Sequence, residues 1–263
     1  MKVAGIQMDL AWEDPERNFQ RAREMMAVAR DAGARLAVLP EMFATGFSME
    51  AELVAGYAGE TRQFLSGLAR ELDLFILAGY AEPADPRPSN ACSIFGPTGG
   101  EVLHYRKLHP FSMAGEDERF LAGESLATAE LEGIRITALI CYDLRFPEPF
   151  RAAAADTDLF CVLANWPVPR RHHWSRLLEA RAIENQAYVL GVNRVGSGGG
   201  LEYSGDSSLR DPMGTELAGA EPGAEAVVEG EVHPAEVMRI RGRFGFLADR
   251  RPATYRHLEE DRS

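Results

Sequence analysis

Cysteine is scarce in this chain of 263 residues: only Cys92, Cys141 and Cys161 occur. An odd count with no secretory leader argues against a disulfide framework and for a reducing, cytoplasmic compartment. The opening Met1-Lys2-Val3-Ala4-Gly5-Ile6-Gln7-Met8 runs straight into strand-like sequence and does not resemble a signal peptide. No cysteine spacing follows a zinc pattern, and the six histidines show no metal spacing. His172 and His173 are adjacent, so on a helix they would point about 100° apart, a poor geometry for a shared ion. No metal is expected. Long apolar runs are missing, which excludes a bilayer-spanning helix as an expectation. A basic surface is missing too. The formal net charge of −12 argues against a nucleic-acid partner. There is no repeat of fixed period and no stretch rich enough in Gly or Pro to act as a linker. Residues 1–263 therefore read as one domain.

What is present is a hydrophobic fraction of 46%, which supports a sizeable core. Residues 3–8 and 36–39 read as strands, separated by an amphipathic helix over 15–32. That helix has Phe19, Met26, Val28 and Ala29 as apolar positions and Gly33 as its stop. A helix is expected over 61–72 and strands over 75–80, 91–95 and 102–105. The last two flank Gly96-Pro97-Thr98-Gly99-Gly100, which has hairpin-loop chemistry. Further strands are expected at 134–140, 159–163, 188–193, 206–210 and 226–230. Helices are expected from Pro147 through Ala155 and over 170–186. Helices alternating with strands, with hairpins interspersed, predict a layered α/β fold with mixed sheets.

Cys141 follows the strand at 134–140 and precedes the polar turn Tyr142-Asp143-Leu144-Arg145-Phe146-Pro147-Glu148. A thiol at a strand-to-helix turn is held on rigid backbone beside free N–H groups, as a nucleophile for acyl transfer requires. Cys161 lies within an apolar strand, and Cys92 reads the same way; both behave as small hydrophobes. A neutral thiol needs a base, and an oxyanion needs positive charge or N–H donors. Glu41 ends the strand at 36–39, and Lys107 ends the strand at 102–105. If these strands share a sheet, Glu41, Lys107 and Cys141 meet on one rim. Spacing alone leaves His104, His109, His172 and His173 open as bases.

Three ordered segments resemble the signatures of the nitrilase superfamily of carbon–nitrogen hydrolases. They are Leu39-Pro40-Glu41-Met42-Phe43, Tyr105-Arg106-Lys107-Leu108-His109 and Cys141-Tyr142-Asp143-Leu144-Arg145-Phe146-Pro147-Glu148. The resemblance continues through Ala164-Asn165-Trp166-Pro167, through residues 180–188 and through Asn193-Arg194-Val195-Gly196. It implies a four-layer α-β-β-α sandwich with two mixed sheets and no cofactor. It implies a Glu41–Lys107–Cys141 triad, with the Tyr142 backbone N–H supporting the oxyanion. It also implies a second carboxylate, matched by Glu116 and less well by Glu118. Members associate through helices beside the active site, so a homodimer is expected, with the tail at residues 245–263 reaching a partner subunit. The wording of residues 106–116, with 141–147 and 164–167, looks most like bacterial ω-amidases, which release ammonia from 2-oxoglutaramate or 2-oxosuccinamate. Hydrolysis of an N-carbamoyl amino acid or short aliphatic amide is the alternative, and a non-catalytic binding member a further one. A carboxylate-bearing substrate calls for a cationic pocket wall, for which Arg145 and either Arg170 or Arg171 are candidates. Phe43, Phe111, Tyr142 and Trp166 are candidates for shaping the pocket.

Overall fold

The computed structural model describes residues 1–260. The chain opens with β1 (Lys2–Gln7), buried from Val3 onward, as a strand covered on both faces should be. In α1 (Pro15–Asp31) the Asp14 carboxylate accepts the Arg17 N–H, and Pro15 occupies the first turn. Its buried stripe includes Phe19, Ala22, Met25, Met26 and Ala29. Each large side chain on that stripe contributes ~1.5–3 kcal/mol by leaving water. The chain continues through β2 (Leu36–Val38), α2 (Ala51–Gly56), α3 (Ala58–Leu72), β3 (Phe75–Glu82), β4 (Ser89–Phe95) and β5 (Glu101–Arg106). The short α4 (Glu116–Arg119) precedes β6 (Thr128–Leu131) and β7 (Ile134–Ile140). Then come α5 (Pro147–Ala153), β8 (Leu159–Ala164), α6 (Arg171–Asn185), β9 (Tyr188–Asn193), β10 (Val195–Gly198), β11 (Leu201–Ser204) and β12 (Ser208–Arg210). β13 (Glu216–Gly219), β14 (Ala226–Glu231), α7 (Pro234–Arg243) and α8 (Pro252–Glu260) complete it.

Two six-stranded sheets result, in the orders β14-β1-β2-β3-β4-β5 and β13-β12-β9-β8-β7-β6. Both are mixed. β1, β2 and β3 are parallel, as are β7, β8 and β9, and the strands outside these triplets pair antiparallel. Parallel neighbours require crossover connections, and the helices supply them: α1, then α2 with α3, in the first sheet, and α5 and α6 in the second. Side chains alternate between the two faces with period two. On β2, Leu36 and Val38 join the core between the sheets, whereas Ala37 packs with Met26 and Leu68 under the helices. The sheets approach closely where Gly5 faces Val192; a Cβ at Gly5 would lie 2.9 Å from its Cγ2. The layers are thus α-β-β-α, as the resemblance implied.

Some expectations shift. The helix from Pro147 stops at Ala153 and tightens into a 3-10 turn, Ala154–Asp156. The strand expected at 206–210 begins only at Ser208, because Asp206 has φ of 59° and belongs to the preceding turn. The sequence does not announce α2, α4, β6, β10, β11, β13, α7 and α8. β10 and β11 escaped because Gly196, Gly198, Gly199 and Gly200 read as loop. No helix among the described residues is long and apolar enough to cross a membrane. Of the tail at 245–263, residues 261–263 lie outside the described residues.

Candidate active site

Four strand ends build the site. Beyond β2, Leu39 N–H still bonds Leu77 O at 2.8 Å, and Phe43 N–H bonds Gly79 O at 3.0 Å. Between them the chain turns through Met42 at φ of 44°, which leaves Glu41 at the turn. Gly79 is required beneath it: a Cβ there would lie 2.7 Å from Glu41 Cα, closer than the backbone tolerates. Beyond β5, Lys107 N–H bonds Asn90 O at 2.9 Å, and Lys107 O accepts Gly123 N–H at 2.7 Å. Beyond β7, Cys141 takes φ of 44° and starts the 3-10 turn Cys141–Arg145. Such a conformation in a non-glycine residue costs on the order of 1–3 kcal/mol and needs surrounding support. Asp143 supplies it. One carboxylate oxygen accepts Ile140 N–H at 3.0 Å and the Tyr105 hydroxyl at 2.7 Å. The other lies 3.0 Å from His109 N and 2.8 Å from its Nδ1. From α6, Arg181 reaches back to Leu144 O at 2.8 and 3.2 Å. Asn165, just past β8, completes the set.

Glu41, Lys107 and Cys141 therefore do not share a sheet. Glu41 and Lys107 come from the first sheet and Cys141 from the second, and they converge at the seam between the two. Parallel strands in both sheets place their carboxyl ends there, where ligands of open α/β sheets bind.

The polar cluster is almost dry: Glu41 and Glu116 are fully buried and Lys107 is 1% exposed. Lys107 Nζ lies 2.9 Å from Glu41 Oε1 and 3.0 and 2.8 Å from the two Glu116 oxygens. Asn90 Nδ2 donates to both carboxylates, at 2.8 Å each. Glu116 also accepts Phe111 N–H at 2.5 Å. A carboxylate offers about four acceptor sites, and those of Glu116 are full. Glu41 accepts two bonds at Oε1 and one at Oε2, from Asn165 N–H at 2.9 Å. It retains room for one more proton donor. Asn165 links Glu41 to the thiol: its Nδ2 bonds Glu41 O at 2.6 Å and its carbonyl lies 3.9 Å from Cys141 Sγ.

Burial opposes the Lys107 charge, yet Glu116 and Glu41 outweigh it and hold the ammonium above its usual range. Burial, with Glu41 adding to it against the pull of Lys107, pushes the Glu116 carboxyl up. Burial first, then the Glu41 charge, push the Cys141 thiol well up, and Lys107 only partly offsets them. A thiol held protonated in this way attacks only after a base removes its proton.

Cys141 opens into a cavity of about 430 Å³. Its lining includes Phe47, Phe111, Tyr142, Arg145, Asn165, Trp166, Arg170 and Tyr203. Trp166 is both wall and core: it is 3% exposed, its ring lies 5.6 Å from that of Trp174 at a tilt of 44°, and it donates to Arg170 O through Nε1 at 2.7 Å. Phe43 is corrected. The left-handed turn at Met42 sends its side chain to the helix side of the sheet, where it is fully buried beside Phe19 at 5.9 Å and Phe64 at 6.3 Å. It does not line the cavity. Arg171 pairs with Asp206 at 2.5 Å, leaving Arg145 and Arg170 as the cations of the wall. Glu118 is exposed. His104 bonds Glu82, His109 bonds Asp143, and His173 contacts Arg145; none is paired with the thiol. Cys92 and Cys161 are fully buried in the core. The sequence reading gave no role to Asn90 or Asn165. Asn165 lies in Ala164-Asn165-Trp166-Pro167 at a strand end, the same signal that marks Glu41 and Cys141.

The family model for carbon–nitrogen hydrolases matches residues 2–241. The omega-amidase YafV of Escherichia coli (strain K12) is 37% identical over 246 residues, 93% of this chain and 94% of that protein. A 2-oxoglutaramate amidase of Bacillus subtilis (strain 168) is 33% identical over 258 residues, 96% of this chain and 98% of that one. The crystal structure of XC1258 from Xanthomonas campestris, a CN-hydrolase superfamily protein with an arsenic adduct in its active site, matches with a TM-score of 0.89 at 31% identity. It covers 95% of this chain and 97% of that one. With the sandwich and a thiol, carboxylate and ammonium at its seam, these matches place the chain in the carbon–nitrogen hydrolase family, as an enzyme that hydrolyses amide C–N bonds.

Proposed function

We propose that the enzyme hydrolyses the distal amide of a short 2-oxo acid, 2-oxoglutaramate or 2-oxosuccinamate, to the 2-oxo diacid and ammonia. The observation that carries this reading is the pair Arg145 and Arg170 on the cavity wall. Among the described residues neither guanidinium has a carboxylate within ion-pair distance. Arg145 lies 4.7 Å from the Trp166 ring centroid and 3.3 Å from His173 Nδ1. Arg170 lies 5.2 Å from the Phe111 ring centroid. Burial, and then the like charge of Arg170, hold the Arg145 pKa below its usual range. A substrate carboxylate would relieve both. Two acids, Glu13 and Glu50, also line the cavity, and Glu13 is engaged by the Ser48 hydroxyl at 2.6 Å.

In this reading Glu41 takes the Cys141 proton and the sulfur attacks the amide carbon. The Lys107 ammonium and the Tyr142 backbone N–H stabilise the oxyanion. Collapse of the tetrahedral adduct expels ammonia with a proton from Glu41 and leaves a thioester. Glu41 then activates water, which releases the acid and returns the proton to sulfur. Glu116, with its acceptor sites filled, holds Lys107 and the Phe111 backbone in place and transfers no proton.

The test is ammonia release from 2-oxoglutaramate, glutamine, an N-carbamoyl amino acid and a simple nitrile. The 2-oxo amide should turn over fastest. Arg145→Leu should raise its KM about ten- to a hundredfold, the worth of one charge-assisted hydrogen bond. If 2-oxoglutaramate is inert while the carbamoyl compound turns over, this substrate reading is wrong.

The same reading takes the enzyme as a homodimer joined through α5, α6 and the tail. Ile183, Phe246 and Tyr255 are 41%, 50% and 46% exposed and line one cavity with Pro147 and Arg151. Sedimentation should give twice the chain mass of 28.9 kDa, and Phe246→Asp should shift it towards monomer. A monomeric wild type would refute the assembly.

A further inference from the structure

β10 and β11 stand apart from both large sheets as a two-stranded antiparallel ribbon, with Gly196 opposite Tyr203. β11 packs against the 3-10 turn Val168–Arg170, which carries Arg170. From this ribbon Tyr203 lines the cavity into which Cys141 opens. The side chain is 5% exposed, and among the described residues its hydroxyl has no hydrogen-bond partner. The residue lines the cavity, so the hydroxyl is left free for an acceptor there.

Arg194 fixes the ring. Its guanidinium carbon sits 4.5 Å from the Tyr203 ring centroid. Nε donates to Val195 O at 3.0 Å, and Nη2 donates to Leu10 O and Ser197 O at 2.9 Å each and to Asp9 Oδ1 at 3.2 Å. Arg194 itself is fully buried, so the phenol rests on an immobile cation. A cation on the ring face draws electron density from the phenol and strengthens its O–H as a donor. Burial keeps that proton in place: it pushes the Tyr203 hydroxyl up to about 12, against Arg194 and Arg170, with Glu41 adding to it. Tyr203 is therefore a proton-bearing donor under electrostatic influence from the thiol end and from the Arg170 end at once.

The two ends of the substrate already have partners in the proposed mechanism. The reacting carbonyl meets Lys107 and the Tyr142 N–H, and the carboxylate meets Arg145 and Arg170. The remaining acceptor on a 2-oxo amide is the 2-oxo oxygen. We propose that Tyr203 is a substrate-binding residue whose hydroxyl donates a hydrogen bond to the 2-oxo carbonyl and so selects 2-oxo acids over plain acids of the same length. This inference rests on the substrate reading above.

The test compares 2-oxoglutaramate with glutaric acid monoamide, which differs only in lacking the 2-oxo group, in wild type and Tyr203→Phe. Wild type should favour the 2-oxo substrate in kcat/KM. In Tyr203→Phe that preference should fall about three- to tenfold, the worth of one neutral hydrogen bond, with the loss in KM rather than kcat. Competitive inhibition by 2-oxoglutarate relative to glutarate should lose the same factor, a readout that needs no turnover. An equal loss on both substrates, a loss confined to kcat, or an unchanged preference would overturn the assignment while leaving the substrate reading intact. A wild type that favours the plain monoamide or a carbamoyl compound would overturn the substrate reading, and this assignment with it.

Discussion

Cys141→Ala will release no measurable ammonia from any amide, whereas Cys161→Ala will turn over like wild type. The contrast separates a residue at a strained strand end, open to the cavity, from one fully buried inside β8. In the proposed mechanism the loss of the covalent nucleophile removes the thioester route itself, and knocking out a member of such a unit costs on the order of a millionfold in kcat. The fold should survive, because the turn is held by Asp143 and Arg181 and not by the thiol. Cys161→Ala deletes one sulfur from the core and should cost about 1 kcal/mol in denaturant unfolding with no kinetic effect. Equal ammonia release from the two variants would remove Cys141 from the mechanism.

The second large effect is expected at Lys107, where activity and stability fall together. Lys107→Met removes the only ammonium between two fully buried carboxylates that share Asn90. Breaking a buried ion pair from one side costs about 3–5 kcal/mol, and losing an oxyanion donor costs about a hundred- to a thousandfold in rate. The sign of the pH dependence follows from Glu116. Its carboxyl is already raised by burial and Glu41 and lowered by Lys107, so removing Lys107 raises it further. A carboxyl raised in the folded state binds a proton there that the unfolded chain gives up, so stability falls as pH rises through the folded value. The Tm of Lys107→Met should therefore drop from pH 5.5 to pH 8 by more than that of wild type. Lys107→Met combined with Glu116→Gln should recover much of the stability and none of the activity. A single variant that melts like wild type at both pH values would show that the cluster does not carry the charge assigned to it.

Much of the molecule was legible in the sequence. The strands at β1, β3, β7, β8 and β9 announced themselves because strands buried on both faces must be continuously apolar. Helix α1 did so through its stripe and Asp14, Pro15 and Gly33. Glu41, Lys107 and Cys141 were visible as three reactive groups each placed just beyond a strand. The weaker elements were not. β10 and β11 are glycine-rich, and α7 and α8 follow turns whose composition does not distinguish a helix from a coil. Asn90 and Asn165 were silent for a different reason: an amide matters only through what it touches, and its partners are 49 and 124 residues away in sequence. Phe43 was misplaced because one left-handed residue before it, Met42, reverses the face on which it emerges.

The sequence by itself determined the layered α/β architecture, the family and the three residue types at the strand ends, because periodicity, turn chemistry and local order are properties of short segments. The tertiary structure alone decided that these residues meet at a seam between two sheets and that Glu116 is saturated while Glu41 keeps one acceptor site free. It also decided that Arg145, Arg170 and Tyr203 face the same cavity. Those are facts about distance and burial between segments far apart in the chain. Charge pairing, desolvation and pKa depend on that separation in space, which the order of residues does not contain.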